Sequence, residues 1–168
     1  MWRVFYIYDR IAYLEVYTSN KIEGNTLTKG QTKAVLEGIA QDADLRSQTE
    51  VIQLNMAIRD NFSINNEAID RFNNSDKELI DIFKFKLDFV RIHPFMDGNG
   101  RLSRLIMNGL LTAKGYPRII IRNQDKGFYY DAIESSLRVG RYDAWLKFML
   151  TYMKFMCELE DMFLLDIE

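Results

Sequence analysis

Apolar residues recur along most of this chain at intervals of about three to four residues, which places them on one face of a helix. Strict alternation of apolar and polar residues, the pattern typical of a strand, is nearly absent. The pattern therefore predicts an all-α fold. The helices that it predicts cover about residues 11–23, 28–40, 45–61, 75–92, 100–115, 126–137 and 141–165.

Short local signals mark where several of these helices begin and end. Thr28–Gln31 and Ser75–Glu78 both have the spacing of a capping box, in which two side chains satisfy backbone N–H groups at a helix start. Gly24 suits the left-handed position that closes a helix. Pro94 pushes His93 out of the helical region, so a helix is expected to end there.

Two of the predicted helices are strongly apolar. The helix before Pro94 carries apolar residues around much of its circumference, which predicts the central helix of a bundle. The C-terminal helix has a wide apolar stripe that we assign to the core, and its methionines also make it a candidate surface for a homodimer. With 168 residues, the chain is predicted to form a single domain over 1–168.

Composition narrows the classes of function. A formal net charge of -2 gives no basic surplus for neutralising phosphates, so the sequence argues against broad nucleic-acid binding. No apolar run approaches membrane-spanning length, and Asp9 and Arg10 interrupt the N-terminal one, so we expect no membrane or targeting segment. Cys157 is the only cysteine, which excludes an intrachain disulfide and favours a reducing, cytoplasmic location.

The residues with the clearest chemistry lie together in His93–Arg104, which reads HPFMDGNGRLSR. Gly98 and Gly100 form a turn directly before a helix, so backbone N–H groups and the helix dipole converge on one spot and form a cradle for an anion. Arg101 and Arg104 share one side of the first turn of that helix, where both guanidinium groups can bind phosphate oxygens.

Asp97 and His93 add two further groups beside this cradle. The Asp97 carboxylate is a hard oxygen ligand that suits Mg²⁺ bound together with nucleotide phosphates. His93 is the only histidine, and a neutral imidazole can accept the proton of a hydroxyl group. Each residue alone has a simpler explanation, such as a helix cap or a turn, but together they predict transfer of a phosphate-containing group to an alcohol.

This segment resembles the signature of the Fic family, His-Pro-Phe-x-Asp/Glu-Gly-Asn-Gly-Arg-x-x-Arg, at every fixed position. The resemblance implies a Fic-type helical bundle that transfers AMP from ATP to a Ser, Thr or Tyr hydroxyl of a target protein. It implies that His93 is the general base and that Asp97 holds magnesium. The nucleotide site that it implies contains Phe95, Gly98, Asn99, Gly100, Arg101 and Arg104.

Two details of the resemblance refine the expected activity. The related Doc-type kinases have a lysine at the position of Arg101 and usually lack the glycine seen at Gly98, so the comparison favours AMP transfer over phosphoryl transfer. Arg104 is expected to orient the γ-phosphate. Tyr129 and Tyr130 resemble an aromatic pair near the adenine pocket of relatives.

A second resemblance lies upstream, where Ser19–Gly24 is similar to the family's inhibitory motif, Ser/Thr-x-x-x-Glu-Gly/Asn. Ser19 and Glu23 share one face of an inhibitory helix predicted over about 11–24. The resemblance implies that Glu23 pairs with Arg104 and occupies the space of the γ-phosphate, so that the enzyme inhibits itself.

The polar stretch Phe62–Asp76 is the most loop-like part of the chain, and it stands where many family members have a longer flap that holds the target. The resemblance therefore implies a very short flap. Two alternatives to the AMP transferase remain open at this point. The chain could be a nucleotide-binding regulatory module with little or no turnover, or it could use Glu23 to activate water and remove AMP from a modified target.

Overall fold

A computed structural model describes residues 2–39, 41–63 and 79–165 of the chain. These residues contain seven α-helices and no β-strand. In chain order, the helices are α1 (Trp2–Ile22), α2 (Lys29–Leu36), α3 (Leu45–Ser63), α4 (Leu79–Ile92), α5 (Asn99–Ala113), α6 (Lys126–Val139) and α7 (Asp143–Leu165). The predicted all-α fold is confirmed.

The first and third helices are longer than their apolar patterns predicted. α1 begins at Trp2 rather than near residue 11, because charged residues interrupt an apolar run without interrupting a helix. α3 continues to Ser63, so the first part of the stretch assigned to the flap is helical. The rest of that stretch and the Ser75–Glu78 capping box lie within 64–78, outside the described residues.

α2 begins as predicted but ends earlier. Thr28 and Gln31 form the predicted capping box, in which each side chain accepts the backbone N–H of the other residue. The helix ends at Leu36 rather than near residue 40. Gly38 has a φ of +80°, the left-handed conformation with which a glycine commonly closes a helix. A glycine just past the last buried position was the signal for this early end.

The chain divides into two compact units, Met1–Ile64 and Asn65–Glu168. The first unit contains α1 to α3, and the second contains α4 to α7. The assignment of 1–168 to a single domain remains a prediction.

In the first unit, α1 packs against α2 and α3. Its buried apolar core consists of Val16, Ile22, Leu27, Val35, Val51, Leu54 and Ile58. Gly24 closes α1 with a φ of +94°, and its N–H donates to the carbonyl of Lys21 over 3.1 Å. The N–H of Asn25 donates to the carbonyl of Asn20 over 3.0 Å, which completes the glycine-closed helix end that the sequence predicted.

The buried side chain of Asn25 ties this end of α1 to α3. Its Nδ2 donates to the carbonyl of Ser47 and to Oε2 of Glu50, both at 3.0 Å. Its Oδ1 accepts the backbone N–H of Leu27 at 3.1 Å. Because every polar atom of the carboxamide is used, the backbone directly after Glu23 is held in one conformation.

In the second unit, α4 packs against α5 and α7, and α6 packs against α7. The core of this unit is formed by Ile82, Phe83, Leu87, Met107, Leu111, Ile119, Ile121, Trp145 and Met149. α4 carries apolar residues around much of its circumference, but Ile80, Phe85 and Ile92 among them are exposed. α4 buries one face, and that face lies between its two partner helices.

The first half of the apolar stripe of α7 belongs to the core, as predicted, while Phe155, Met156 and Leu159 are half-buried. Trp145, Met149, Tyr152 and Met153 are all buried, and the indole Nε1 of Trp145 donates to the carbonyl of Phe83 over 2.6 Å. In the part of the chain that the structure describes, every helix is too short or too polar to cross a membrane.

Candidate active site

His93 lies directly after the last residue of α4, where the backbone leaves the helix. Its N–H still donates to the carbonyl of Phe89 over 3.1 Å, but its φ of +50° lies in the left-handed region. Pro94 disfavours the right-handed helical conformation in the residue before it, and histidine enters the left-handed region more readily than most residues. His93 is exposed, so its imidazole is accessible to a substrate.

The loop between α4 and α5 is braced by the side chain of Asn99, which is only 4% exposed. Its Oδ1 accepts the N–H of Phe95 at 3.0 Å, and its Nδ2 donates to the carbonyl of the same residue at 2.6 Å. The ring centroid of Phe95 lies 6.3 Å from that of Phe89 on α4. Asn99 therefore shapes the loop, a role that the motif alone did not reveal.

Replacing Asn99 with alanine should loosen this loop. We expect Asn99→Ala to lower the free energy of unfolding by about 1 to 2 kcal/mol, because two backbone groups lose partners in a partly buried position. Urea denaturation followed by circular dichroism would measure the change. Asn123→Ala, an exposed asparagine in a 3₁₀ turn of the same unit, is the matched control and should change stability by less than about 0.5 kcal/mol. Equal stability of the two variants would show that the brace contributes nothing.

The N-terminus of α5 is arranged to receive an anion. Gly98 is the N-cap residue, with φ of +81° and ψ of 0°, a backbone conformation that glycine adopts without strain. Glycine has no side chain that could accept the first N–H groups of the helix, so those groups and the helix dipole suit an anion. The predicted cradle around Gly98 and Gly100 is consistent with this geometry.

Asp97 and Arg101 lie together at the edge of this N-terminus. Nη2 of Arg101 is 3.6 Å from Oδ2 of Asp97, and the two side chains are 17% and 73% exposed. Oδ1 of Asp97 accepts the N–H of Gly98 over 2.7 Å. An ion pair with so exposed a member contributes little, about 0 to 1 kcal/mol, so the arginine can exchange the carboxylate for phosphate oxygens.

Asp97 is the one carboxylate of the motif that could bind a metal ion. Among residues 2–39, 41–63 and 79–165, no three histidine, cysteine or carboxylate side chains come together to hold a metal ion. Magnesium commonly binds through one or two carboxylates and completes its shell with substrate phosphates and water. An exposed Asp97 beside the predicted anion cradle fits this mode of magnesium binding.

Arg104 is buried one turn further along α5, at 4% exposure, and Tyr129 of α6 and Lys86 of α4 are buried in the same unit. Burial raises the pKa of the Tyr129 hydroxyl, but the positive charges of Lys86 and Arg104 outweigh burial and lower the pKa below its ordinary value. The sequence analysis missed Lys86. The available signal was a lysine at helical spacing from the apolar Ile82 and Phe83.

The two tyrosines assigned to the adenine pocket occupy different environments. Tyr129 is 2% exposed, and its ring packs edge-on against Trp145 and Phe148. Tyr130 is 39% exposed, with Nζ of Lys126 lying 5.8 Å from its ring centroid. Of the two, only Tyr130 presents a ring face to which a base could bind, whereas the ring of Tyr129 is buried, with Nζ of Lys86 lying 4.6 Å from its centroid.

The residues of the upstream motif lie at the end of α1 in the first unit. Ser19 is buried, and Glu23 is an exposed residue directly after Ile22, the last residue of the helix. The N–H of Glu23 donates to the carbonyl of Asn20 over 3.1 Å. The inhibitory roles of Ser19 and Glu23, including the pairing of Glu23 with Arg104, stay predictions.

Comparison with known proteins gives similar sequences and folds. A 45-residue segment, 27% of this chain, is 58% identical to the protein adenylyltransferase Fic of Aedes aegypti and covers 9% of it. The chain spans about a tenth of the length of the curated relatives that it matches.

Fic-1 from C. elegans shares the fold with a TM-score of 0.74 and 23% identity, over 85% of this chain and 60% of that one. A Fic family protein from Desulfovibrio desulfuricans G20 also has a TM-score of 0.74, with 18% identity over 94% of this chain and 66% of that one.

The model of the Fic/DOC family matches residues 20–111. This range is more than half of the 168 residues. It contains both the loop that follows α4 and the first turn of α5, where the exposed histidine, the side-chain-free helix cap and the two arginines lie. The chain therefore belongs to the Fic/DOC family.

Proposed function

We propose that this chain is a protein adenylyltransferase, which transfers AMP from ATP to a Ser, Thr or Tyr hydroxyl of a target protein. The observation that carries the proposal is the grouping of an exposed His93, the cap at Gly98 and the buried Arg104 around one helix N-terminus. Membership of the Fic/DOC family and the similarity to proteins named protein adenylyltransferase Fic support it.

In the proposed reaction, the hydroxyl oxygen of the target attacks the α-phosphorus of ATP. The bond between that phosphorus and the oxygen bridging to the β-phosphate breaks, and pyrophosphate leaves with the bonding electron pair. His93 accepts the proton of the attacking hydroxyl. The N–H groups at the start of α5 and the guanidinium of Arg101 stabilise the negative charge on the phosphates, and they need little rearrangement because the helix holds them in place.

Asp97 is the residue that would hold Mg²⁺ in this proposal. The bound ion would neutralise part of the phosphate charge. Since Arg101 lies beside Asp97, its guanidinium and an ion held by Asp97 would lie near the same phosphates. Tyr130 is the aromatic residue that we assign to the adenine base, because its ring is half exposed.

The location of the enzyme and the class of its target are proposed from the composition of the chain. The single cysteine favours the cytoplasm, and the net charge of -2 favours a protein target over a nucleic acid. A homodimer formed through α7 remains a prediction.

The proposal is tested by comparing α-labelled with γ-labelled ATP on the Glu23→Gly variant in the presence of magnesium. We expect label from α-labelled ATP alone to become attached to protein, including the variant itself, with release of pyrophosphate. Label from γ-labelled ATP alone would identify a phosphoryl transferase. ATP binding without any labelling would favour the regulatory module, and Glu23-dependent release of AMP from a modified protein would favour the reverse reaction.

A further inference from the structure

Three phenylalanines form a continuous row on the surface of the second unit, from α4 into the loop that follows it. The ring centroids of Phe85 and Phe89 are 6.1 Å apart, and those of Phe89 and Phe95 are 6.3 Å apart. Both distances lie in the range of favourable contacts between aromatic rings. Phe85 and Phe95 are exposed and Phe89 is half-buried, so this row, the phenylalanine ladder, is accessible to a partner.

Two further apolar residues extend the ladder on either side of His93. Ile92 is 73% exposed and lies on the same face of α4 as Phe85 and Phe89, because residues three and four apart are neighbours on a helix surface. Met96, in the loop after α4, is fully exposed. Single exposed apolar residues are common, whereas a contiguous group of them is typical of a surface that binds a partner.

The exposed charges of α4 are paired with one another. Nζ of Lys84 lies 3.8 Å from Oδ1 of Asp81, and Nη1 of Arg91 lies 3.2 Å from Oδ1 of Asp88. The remaining charged residue of the helix, Lys86, is buried. Because each exposed pair joins one cation to one anion, α4 offers a partner no surplus of either charge. The ladder therefore favours an apolar side chain over a charged one.

We propose that the phenylalanine ladder binds a large apolar side chain of the target protein, on the same segment as the hydroxyl that receives AMP. This inference rests on the proposed function, in which that hydroxyl lies at His93. Ile92 precedes His93 and Phe95 follows it by two residues, so a segment that places its hydroxyl at His93 lies over the end of the ladder. The ladder is about as long as four residues of extended chain, so the apolar residue should lie within about five residues of the acceptor.

The inference predicts that transfer depends on the sequence around the acceptor. The probes are polar peptides of about eleven residues with a central Ser, Thr or Tyr, in which a phenylalanine takes each other position in turn. Peptides with glutamine at the same position are their matched partners. The host enzyme is the full chain carrying Glu23→Gly, and the measurement is kcat/KM for labelling from α-labelled ATP. We expect phenylalanine at a favourable position to raise kcat/KM about tenfold over glutamine, because part of one aromatic side chain is buried.

Phe85→Gln tests whether the ladder causes this preference. Phe85 lies about two turns of α4 before His93, so its replacement leaves the motif intact. We expect Phe85→Gln to lower the ratio of kcat/KM between the matched peptides from about tenfold to within about twofold, through a higher KM for the phenylalanine peptide at an unchanged kcat.

Ile80→Gln is the matched control for Phe85→Gln. Ile80 and Phe85 are 38% and 39% exposed on the same helix, but they are five positions apart and so lie on different faces. Both substitutions replace an apolar side chain of similar exposure with the same polar one. Ile80→Gln should keep the peptide ratio within about twofold of the host.

The absence of a phenylalanine preference at every position would overturn the inference, and so would a preference that Phe85→Gln leaves unchanged. If Phe85→Gln gives no cooperative thermal transition, Ile92→Gln decides by the same criterion. A host dimer that Phe85→Gln converts to a monomer in light scattering would assign the ladder to a second copy of the chain and would also overturn it. Self-labelling of the host without labelling of any peptide would overturn this inference and leave the proposed function standing, whereas the absence of all labelling would overturn both.

Discussion

Replacement of His93 is expected to reduce labelling from α-labelled ATP by about 100- to 10,000-fold in the Glu23→Gly background, because the reaction loses its general base. Binding of ATP should change by no more than about twofold, since the imidazole acts on the target hydroxyl and not on the phosphates. Labelling would be quantified on protein gels, and ATP binding by isothermal titration calorimetry.

Two substitutions are needed, because His93 has a φ of +50° and so occupies a strained backbone position. Alanine costs about 1 to 2 kcal/mol in that region, whereas asparagine enters it readily. His93→Ala removes the imidazole and adds backbone strain, while His93→Asn removes the imidazole alone. Loss of labelling in both variants assigns the effect to the base. Full activity in His93→Asn would show that His93 is not the base.

Replacement of Glu23 is expected to raise labelling by about 10- to 100-fold, because a carboxylate that competes with the γ-phosphate for Arg104 is removed. Glu23→Gly removes the side chain, and Glu23→Gln keeps its shape while removing its charge. If the charge pairs with Arg104 as the resemblance implies, both variants should gain activity. The initial rate of labelling from α-labelled ATP, relative to the unmodified chain, is the measurement.

The chain offers a close control for this experiment. Glu37 is an exposed glutamate at the C-cap of α2, followed by Gly38 in the left-handed conformation, just as Glu23 is followed by Gly24. Glu37→Gly therefore reproduces the backbone consequence of Glu23→Gly at another helix end. We expect Glu37→Gly to label like the unmodified chain. Equal labelling by Glu23→Gly, Glu37→Gly and the unmodified chain would mean that Glu23 imposes no restraint.

Several features of the fold could be predicted because their causes are local. The capping box of Thr28 and Gln31 and the closing role of Gly24 each depend on residues within one turn of backbone. The departure of the chain from α4 at His93 follows from Pro94 in the same way. The early end of α2 at Leu36, shortly before Gly38, was equally local, and the prediction missed it because it followed the apolar pattern past Gly38.

Features that depend on contacts distant in sequence could not be predicted. The sequence shows Lys86 as a charge on an apolar helix, and nothing nearby indicates that the rings of Tyr129 and Trp145 enclose its ammonium group. Tyr129 and Tyr130 are neighbours of similar chemistry, yet one is buried and the other half exposed, because successive positions of a helix point about 100° apart.

By itself, the sequence determined the all-α class, several helix ends and the complete His93–Arg104 motif, and hence the family and the candidate chemistry. The tertiary structure decided how the motif is supported: the brace from Asn99 to Phe95, and the burial of Arg104 on α5. The physical reason is that caps, turns and helical periodicity depend on residues within a few positions of one another. Burial and the pairing of buried charges depend on which helices pack together, and a pattern along one helix does not contain that information.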